Sequence, residues 1–346
     1  MTSLGIGAIG VLAANGASTS VVMASVLAAV QRFDDLDVAG PDGEPLGGAI
    51  VPLEGFPTGT DRLGALALGA LLQCVGDHGG APAPLIVIAP APEDLRAQPQ
   101  ELLGAILQAD AALPIERGSS RVIQRGRQGI GDGLRIARDL LTAGRASECY
   151  VLGVDSLVTG DRLSRLIRQG AVIHDGNPDG VIPGEAAVAL RFSADPRDHV
   201  LATVVGLGMS EEPGARPDAD APLTGRGLAL AAGEALAEAS ESQRLPPLAG
   251  LVYDRSGPHR HFEELALARG RAPLAGLSGE ATFMPGLSAG ETGAAAGLLA
   301  LATTAFFVEK RVIAGPGVCL FTSEDTWRGA AIVVAYPRRS KRRAHA

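Results

Sequence analysis

The sequence predicts a mixed α/β fold in which helices cover both faces of a buried sheet. Short apolar segments typical of strands alternate with helical patterns along all 346 residues. The strand segments 3–12 and 84–88 are continuously apolar, which indicates strands that are buried on both faces. Hydrophobic residues make up 46% of the chain and aromatic residues only 3%, so Ala, Gly, Leu and Val must form most of the core. A chain of this length can bury a large core in one big or two medium domains.

The first half of the chain holds four predicted helices between its strands. Residues 19–33 read as a helix with Thr19 or Ser20 as its N-cap, and residues 61–75 and 93–109 as two more. The fourth helix, 130–143, is stopped by Gly144. Strands are predicted after it at 149–153 and 186–192.

The second half repeats this order. It begins with a strand at 200–207 and a Pro-containing loop at 210–222. Helices are then predicted at 225–238, 261–268 and 292–309, and strands at 250–253, 317–321 and 330–336. Both halves open with a strand punctuated by Gly. The repetition suggests an internal duplication, with an N-terminal half at 1–195, a C-terminal half at 196–337 and a disordered basic tail at 338–346.

Charge and cysteine usage exclude several classes of function. The formal net charge of −8 argues against nucleic acid as a partner, and the basic run in the tail is typical of a solvated chain end. The three cysteines, Cys74, Cys149 and Cys319, lack metal-ligand spacing and fit buried thiols in a reducing compartment. The apolar start lacks a preceding basic residue, and no apolar run is long enough to span a membrane. We therefore expect a cytoplasmic protein with no metal, cofactor or membrane partner.

Three motifs carry a resemblance to a known family. They are Gly133-Leu-Arg-Ile-Ala-Arg-Asp-Leu-Leu-Thr-Ala-Gly144 with the strand after it, Pro183-Gly-Glu-Ala-Ala187, and Gly290-Glu-Thr-Gly-Ala-Ala-Ala-Gly297. In this order they resemble the β-ketoacyl synthase branch of the thiolase-like superfamily, over most of the chain. The resemblance implies two pseudo-symmetric halves in a five-layered αβαβα sandwich. It also implies an active site between the halves and, usually, a dimer.

The nucleophile of that family has no counterpart here. The family uses a thiolate at the N-terminus of a buried helix, where the helix dipole and backbone N–H groups favour the anion. Counting back from Gly144 places this position at Arg127, and residues 124–130 contain neither Cys nor Ser. Gln128 lies one residue away. Chain length factors of the family carry Gln in place of the nucleophile, so a shift of one residue would make this chain similar to them.

The two histidines of the family are also replaced. Matching the Gly that follows the first histidine places Ser256 at its position, while the nearby His259 and His261 read as exposed loop residues unless the loop turns one inward. At the second position, the sequence places Glu291, followed by Thr292, a further candidate cleft residue. We expect Glu291 to cap a helix N-terminus. A carboxylate would repel the negative charge of an enolate, so it cannot serve as an oxyanion donor unless it is protonated.

These substitutions leave four functional hypotheses open. The first is a non-catalytic ketosynthase homologue that serves as a scaffold, partner or binding module for an acyl-carrier protein, a ketosynthase or another protein. The second is an active enzyme with altered catalytic residues. It is either an acyltransferase or condensing enzyme that acts on acyl thioesters, or an enzyme of different chemistry that uses Glu291 with His259 or His261 as acid and base. The third is a chain-length-factor-like subunit of a heterodimer, and the fourth an accessory protein of a type VI secretion effector. The resemblance also implies a homodimer in which the strand from Ser119 to Gln124 pairs across the two-fold axis.

Overall fold

The computed structural model describes residues 3–336, with gaps at 77–80, 96, 111, 195–199, 217 and 278–280. The strands are β1 (Leu4–Ala13), β2 (Asp34–Ala39), β3 (Pro45–Gly48), β4 (Leu85–Ala89), β5 (Arg121–Gln124), β6 (Glu148–Ser156), β7 (Glu185–Ser193), β8 (Ala202–Glu211), β9 (Gly250–Tyr253), β10 (Thr282–Phe283), β11 (Gly317–Thr322) and β12 (Trp327–Ala335). The helices are α1 (Thr19–Leu27), α2 (Gly59–Val75), α3 (Pro99–Ala109), α4 (Gly129–Thr142), α5 (Gly160–Arg168), α6 (Arg226–Ser242), α7 (His259–Arg269), α8 (Gly286–Ala289) and α9 (Ala296–Glu309).

The sheet repeats one topology twice. Its strand order is β10-β9-β11-β12-β8-β1-β7-β6-β4-β5. Read outward from the centre, β1-β7-β6-β4-β5 and β8-β12-β11-β9-β10 follow the same order and the same parallel and antiparallel pairings. The two arrays join through three residue pairs at the starts of β1 and β8. This repeat agrees with the expected internal duplication, whereas the predicted domain boundary at 195/196 and the predicted tail at 338–346 both fall outside the described residues.

Three apolar clusters pack five layers of structure together. The central cluster packs α4 and α9 between the two arrays, and the helix α9 is buried along almost its whole length. A second cluster covers the outer face of the first array with α2 and α3, and a third covers the second array with α6 and α7. Neighbouring strand residues point alternately into these clusters, as the period of two in a strand requires. The layers therefore follow the order expected for an αβαβα sandwich.

Glycines in the first strand of each half allow an outer helix to approach closely. A Cβ at Gly10 in β1 would lie 1.9 Å from the carbonyl oxygen of Ala70 in α2. A Cβ at Gly206 in β8 would lie 1.9 Å from the carbonyl oxygen of Ala235 in α6. Such contacts are possible only without a side chain. Gly10 and Gly206 therefore serve helix packing.

Some element boundaries differ from the predictions. α1 ends at Leu27 because Ala29 takes a positive φ of 52°, and α3 begins only at Pro99, after a capping box between Gln98 and Glu101. The predicted helix 292–309 begins with a 3-10 turn before α9 starts at Ala296. The sequence analysis missed the acidic β2–β3 hairpin and the short helix α5. Both are small surface elements that pack on each other through a minor apolar cluster.

Candidate functional site

A cleft of about 570 Å³ opens where the first half meets the second. Its wall is built by the start of α4, by α5, by the segment that joins β9 to α7, by the segment before α9 and by the turn between β11 and β12. The side chains on this wall are mostly charged and include the residues Arg127, Gln128, Asp155, Arg162, Arg165, Arg255, Arg260, His261, Glu291, Glu324 and Arg328. Four of the candidate residues from the sequence therefore come together in one cleft: Arg127, Gln128, His261 and Glu291.

Arg127 lies at the floor of the cleft, in a 3-10 turn that runs into α4. Its side chain is only 3% exposed. One terminal nitrogen pairs with Oε1 of Glu291. The other donates to the carbonyl oxygen of Asp254 at 2.6 Å and lies 3.0 Å from the Oδ2 atom of the same residue. The position at which the resemblance puts a nucleophile is therefore occupied by a guanidinium that two carboxylates of the second half hold in place.

Glu291 is a buried partner in this cluster. Besides the pair with Arg127, its Oε1 atom accepts the backbone N–H of Gly293 at 2.9 Å. It thus caps the 3-10 turn before α9, but from a buried position. Burial raises the pKa of Glu291 above its ordinary value, against the opposing effects of Arg127 and Arg255. A charged Glu291 consequently depends on its guanidinium neighbours.

The sequence analysis missed Asp254 and Arg255. Both oxygens of Asp254 accept hydrogen bonds from Thr322, one from its hydroxyl at 2.9 Å and one from its backbone N–H at 3.1 Å. Arg255 donates to the hydroxyl of Thr322 at 2.6 Å and pairs with Glu324 at 2.8 Å. The sequence could have indicated them, because two charged residues directly follow the apolar strand β9. Charged residues at the end of a buried strand lie at one edge of the sheet.

Arg255, and not Ser256, faces the cleft. Ser256 is buried against Gly286, where a Cβ would come within 2.7 Å of the serine hydroxyl. Matching the chain by its Gly residue selected Ser256, whereas the residue that lines the cleft is Arg255. The physical reason is the register of the segment after β9, in which Asp254 and Arg255 reach Thr322 while Ser256 turns toward α8.

The histidines differ in environment, and neither lies in a loop. α7 begins at His259, so both residues belong to its first turn, which corrects the expectation of loop histidines. His259 is exposed, whereas His261 is partly buried and lines the cleft. The Nδ1 atom of His261 lies 3.0 Å from the carbonyl oxygen of Ser256. Because a carbonyl only accepts hydrogen bonds, Nδ1 carries the proton and Nε2 is left as an acceptor.

His261 is neutral near physiological pH. Burial lowers its pKa, with a further contribution from the cation of Arg255, to about 3. Among the described residues, Glu291 has hydrogen bonds to Arg127 and Gly293 and none to a histidine. The pair of Glu291 and a histidine as acid and base, one form of the second hypothesis, is therefore not preassembled in this structure.

Gln128 and Thr292 occupy different positions relative to the cleft. Gln128 is the N-cap residue of α4, is half-buried and lines the cleft, and its side chain makes no capping hydrogen bond. Thr292 is 1% exposed at the start of the 3-10 turn before α9 and does not line the cleft wall. Gln128 is thus the more available of the two for contact with a ligand.

A second ion-pair group forms the opposite wall. Asp155, at the end of β6, accepts the backbone N–H groups of Ser156 and Ala294, each at 2.8 Å. Arg162 pairs with Asp155 at 3.2 Å and also with Asp94, which Arg165 shares. Burial raises the pKa of Asp155, although Arg162 opposes this effect. Asp155 therefore ties the first half to the segment before α9, in addition to ordering its own turn.

The three thiols lie away from the cleft wall, in the apolar layers. Cys74, Cys149 and Cys319 are buried and unpaired. Burial raises the pKa of Cys74 and of Cys149 to about 12, and that of Cys319 well above its ordinary value. Since the thiolate is the reactive form, these side chains are poor nucleophiles in the folded protein.

The described part of the chain has neither a metal cluster nor a membrane-spanning helix. No group of three or more His, Cys, Asp or Glu side chains is arranged to hold a metal ion there. Within the same residues, no helix is both long enough and apolar enough to cross a membrane.

Comparison with known proteins identifies the fold. No family model and no curated protein sequence matches the chain. The solved structure of the ishigamide ketosynthase/chain length factor matches with a TM-score of 0.74 and 16% identity, over 97% of this chain and 100% of the other. A ketosynthase (ApeO) in complex with its chain length factor (ApeC) from Xenorhabdus doucetiae matches with a TM-score of 0.69 and 13% identity. This match covers 96% of this chain and 98% of the other.

A third solved structure matches at a similar level. It is AntDE:AntF, a type II PKS acyl-carrier protein in complex with its ketosynthase, with a TM-score of 0.76 and 14% identity, over 96% of this chain and 99% of the other. Identities this low identify the architecture and leave the chemistry to the residues in the cleft. The chain therefore has the thiolase-like fold of ketosynthases and chain length factors.

Proposed function

We propose that this chain is a catalytically degenerate β-ketoacyl synthase-like protein that acts as a partner subunit or binding module. The observation that carries the proposal is the buried cluster of Arg127, Glu291 and Asp254 at the floor of the cleft. A condensing enzyme needs a nucleophile and donors that stabilise an enolate at these places. A guanidinium is permanently protonated and cannot attack a thioester, and a charged carboxylate cannot donate a hydrogen bond.

Among the described residues that line the cleft, no cysteine is present to replace the missing nucleophile. The thiols are buried away from the cleft wall, and the serine matched to the first histidine is turned toward α8. Groups that act together in catalysis are not additive, so the change of nucleophile and both donors would leave a small fraction of a condensing rate. The cleft is then expected to bind a ligand or partner segment without forming a covalent intermediate.

Intact-mass measurement tests this proposal. The native protein is incubated with short-chain and medium-chain acyl thioesters, and separately with a cysteine-directed ketosynthase inhibitor. We expect no adduct on native protein and inhibitor adducts on the three thiols only after unfolding. Stoichiometric acylation of one site in the native fold would overturn the proposal, and peptide mapping would identify the nucleophile.

A second candidate, a chain-length-factor-like subunit of a heterodimer, is supported by the chain length factors among the similar solved structures and by the position of β5. Within the described residues, β5 pairs only with β4 and lies at one edge of the ten-stranded sheet. Its outer edge can pair with a strand of another chain, either a second copy or a ketosynthase. The side chain of Arg121 in this strand is exposed.

Native mass spectrometry distinguishes the assemblies. The protein is purified alone and after coexpression with a candidate ketosynthase partner. A Val122→Pro variant, which removes one N–H from the edge strand, is expected to lower the dimer fraction of either assembly. A wild-type protein that stays monomeric at micromolar concentration in both preparations would count against any dimer through β5. An accessory role beside a type VI secretion effector is a further alternative, and effector pull-down would test it.

A further inference from the structure

The helix α4 opens onto the cleft without a side-chain cap. A 3-10 turn at Gly126–Gln128 leads directly into this 14-residue helix. The N-cap residue of neither segment makes a capping hydrogen bond. The N–H of Gly129 donates to the carbonyl oxygens of Gly126 and Arg127, so the N–H groups without a side-chain cap and the positive dipole end are those of the 3-10 turn. All three residues of the turn line the cleft, so this positive end faces the cavity.

An independent feature at the same place also demands an acceptor. Arg127 is only 5% exposed, and among the described residues its buried Nε atom has no hydrogen-bond partner. An unsatisfied buried donor on a cation costs free energy until an acceptor or water reaches it. The side-chain amide of Gln128, one residue on, makes no capping hydrogen bond and lines the same wall.

The neighbouring carboxylates are already engaged. Asp155 accepts two backbone N–H groups and pairs with Arg162. Glu291 pairs with Arg127 and accepts the N–H of Gly293. The acid in the first turn of α4, Asp132, pairs with Arg125 at 2.7 Å on the surface. The helix start therefore offers donors to the cavity while the adjacent acids are held by protein groups.

We propose that the floor of the cleft, at the start of α4, binds the carboxylate or phosphate group of a small anionic ligand. This inference rests on the proposed function, in which the cleft binds without reacting, and it adds the chemical class of the ligand. Backbone N–H groups of the 3-10 turn, the Gln128 amide and the free donor of Arg127 recognise the anion, as helix N-termini do elsewhere. The remainder of the 570 Å³ cleft accommodates the rest of the molecule.

Titration calorimetry with two simple probes, inorganic phosphate and acetate, tests the site. Gln128→Glu places a negative charge at the helix start, and because Gln128 is half-buried the fold should tolerate it. Gln169→Glu is the matched control, since Gln169 lines the same cleft at the C-terminal end of α5. We expect Gln128→Glu to weaken binding of the bound probe at least about tenfold and Gln169→Glu less than about twofold, because the dipole acts within the first turn.

The two probes also identify the ligand head group. Tighter binding of phosphate indicates a phosphate ester, and tighter binding of acetate indicates a carboxylic acid. Absence of binding by either probe at 10 mM (a concentration chosen to exceed the about 1 mM dissociation constant of a weak specific site) would overturn the inference. Equal weakening of probe binding by both Glu variants would also overturn it, since a general increase in negative charge in the cleft would then explain the weaker binding. Neither result bears on the acylation experiment, which tests the proposed function separately.

Discussion

Removal of the Arg127 side chain tests the central ion cluster most directly. Arg127→Ala deletes the pair with Glu291, the contact with the Asp254 carboxylate and the 2.6 Å hydrogen bond to the Asp254 carbonyl. It leaves two buried carboxylates without their shared cation. Breaking a buried pair from one side usually costs about 3–5 kcal/mol, because an uncompensated buried charge remains. Bonds from Thr322 and Gly293 still stabilise the carboxylates, so we expect a loss in this range and no larger.

Urea unfolding followed by circular dichroism measures this loss. The variant Arg125→Ala is a matched control, because it breaks the ion pair with Asp132. The side chain of Arg125 is 51% exposed and that of Asp132 is 33% exposed. Exposed pairs contribute at most about 1 kcal/mol, so the control should change the free energy of unfolding little. Adding Glu291→Gln to Arg127→Ala should recover part of the loss, since one unpaired charge is removed. Equal losses in Arg127→Ala and Arg125→Ala would refute the assignment of a buried cluster.

Three further predictions concern pH, thiols and backbone. Since burial raises the pKa of Glu291 above 4.5, the folded state binds this proton more tightly than the unfolded chain; the free energy of unfolding should fall as pH rises from 4.5 through the raised pKa. Glu291→Gln should remove that part of the slope in urea titrations at several pH values, and an unchanged slope would contradict the shift. Ellman's reagent should detect none of the three thiols in native protein and all three after unfolding; rapid labelling of native protein would disprove their burial. Gly293→Ala should cost at least about 1–3 kcal/mol in urea unfolding, because Gly293 has φ +51° and a Cβ would lie 2.1 Å from Oδ2 of Asp155. Gly160→Ala, with open space around its Cβ, should change stability by less than about 1 kcal/mol, and similar losses in both variants would contradict this account.

The order of elements was predictable because it depends on local patterns. Buried strands such as β4 appear as continuous apolar runs, and Gly144 marks the end of α4. The β2–β3 hairpin was not predictable, because β2 is acidic and mostly exposed and β3 is a four-residue strand with two glycines. Boundaries set by backbone conformation, such as the early end of α1, also leave little trace in the sequence.

The candidate site divides in the same way. The motif spacing alone placed Arg127, Gln128 and Glu291 at the positions that now line one cleft. The sequence could not reveal that Arg127 bonds Glu291 and Asp254, because these residues lie more than 120 positions away along the chain. It also could not choose between Arg255 and Ser256, because that choice depends on how the segment after β9 is turned against Thr322.

The sequence by itself therefore determined most of the strand and helix order, the low aromatic content of the core and the choice of Arg127 and Glu291 as candidate residues. Only the tertiary structure decided that Arg127 pairs with Glu291 and Asp254. Ion pairs between distant segments depend on the packing of α4 and α9 between the two arrays, and no local pattern encodes that contact. The same packing brings the start of α4 to the cleft, where we propose the anion site.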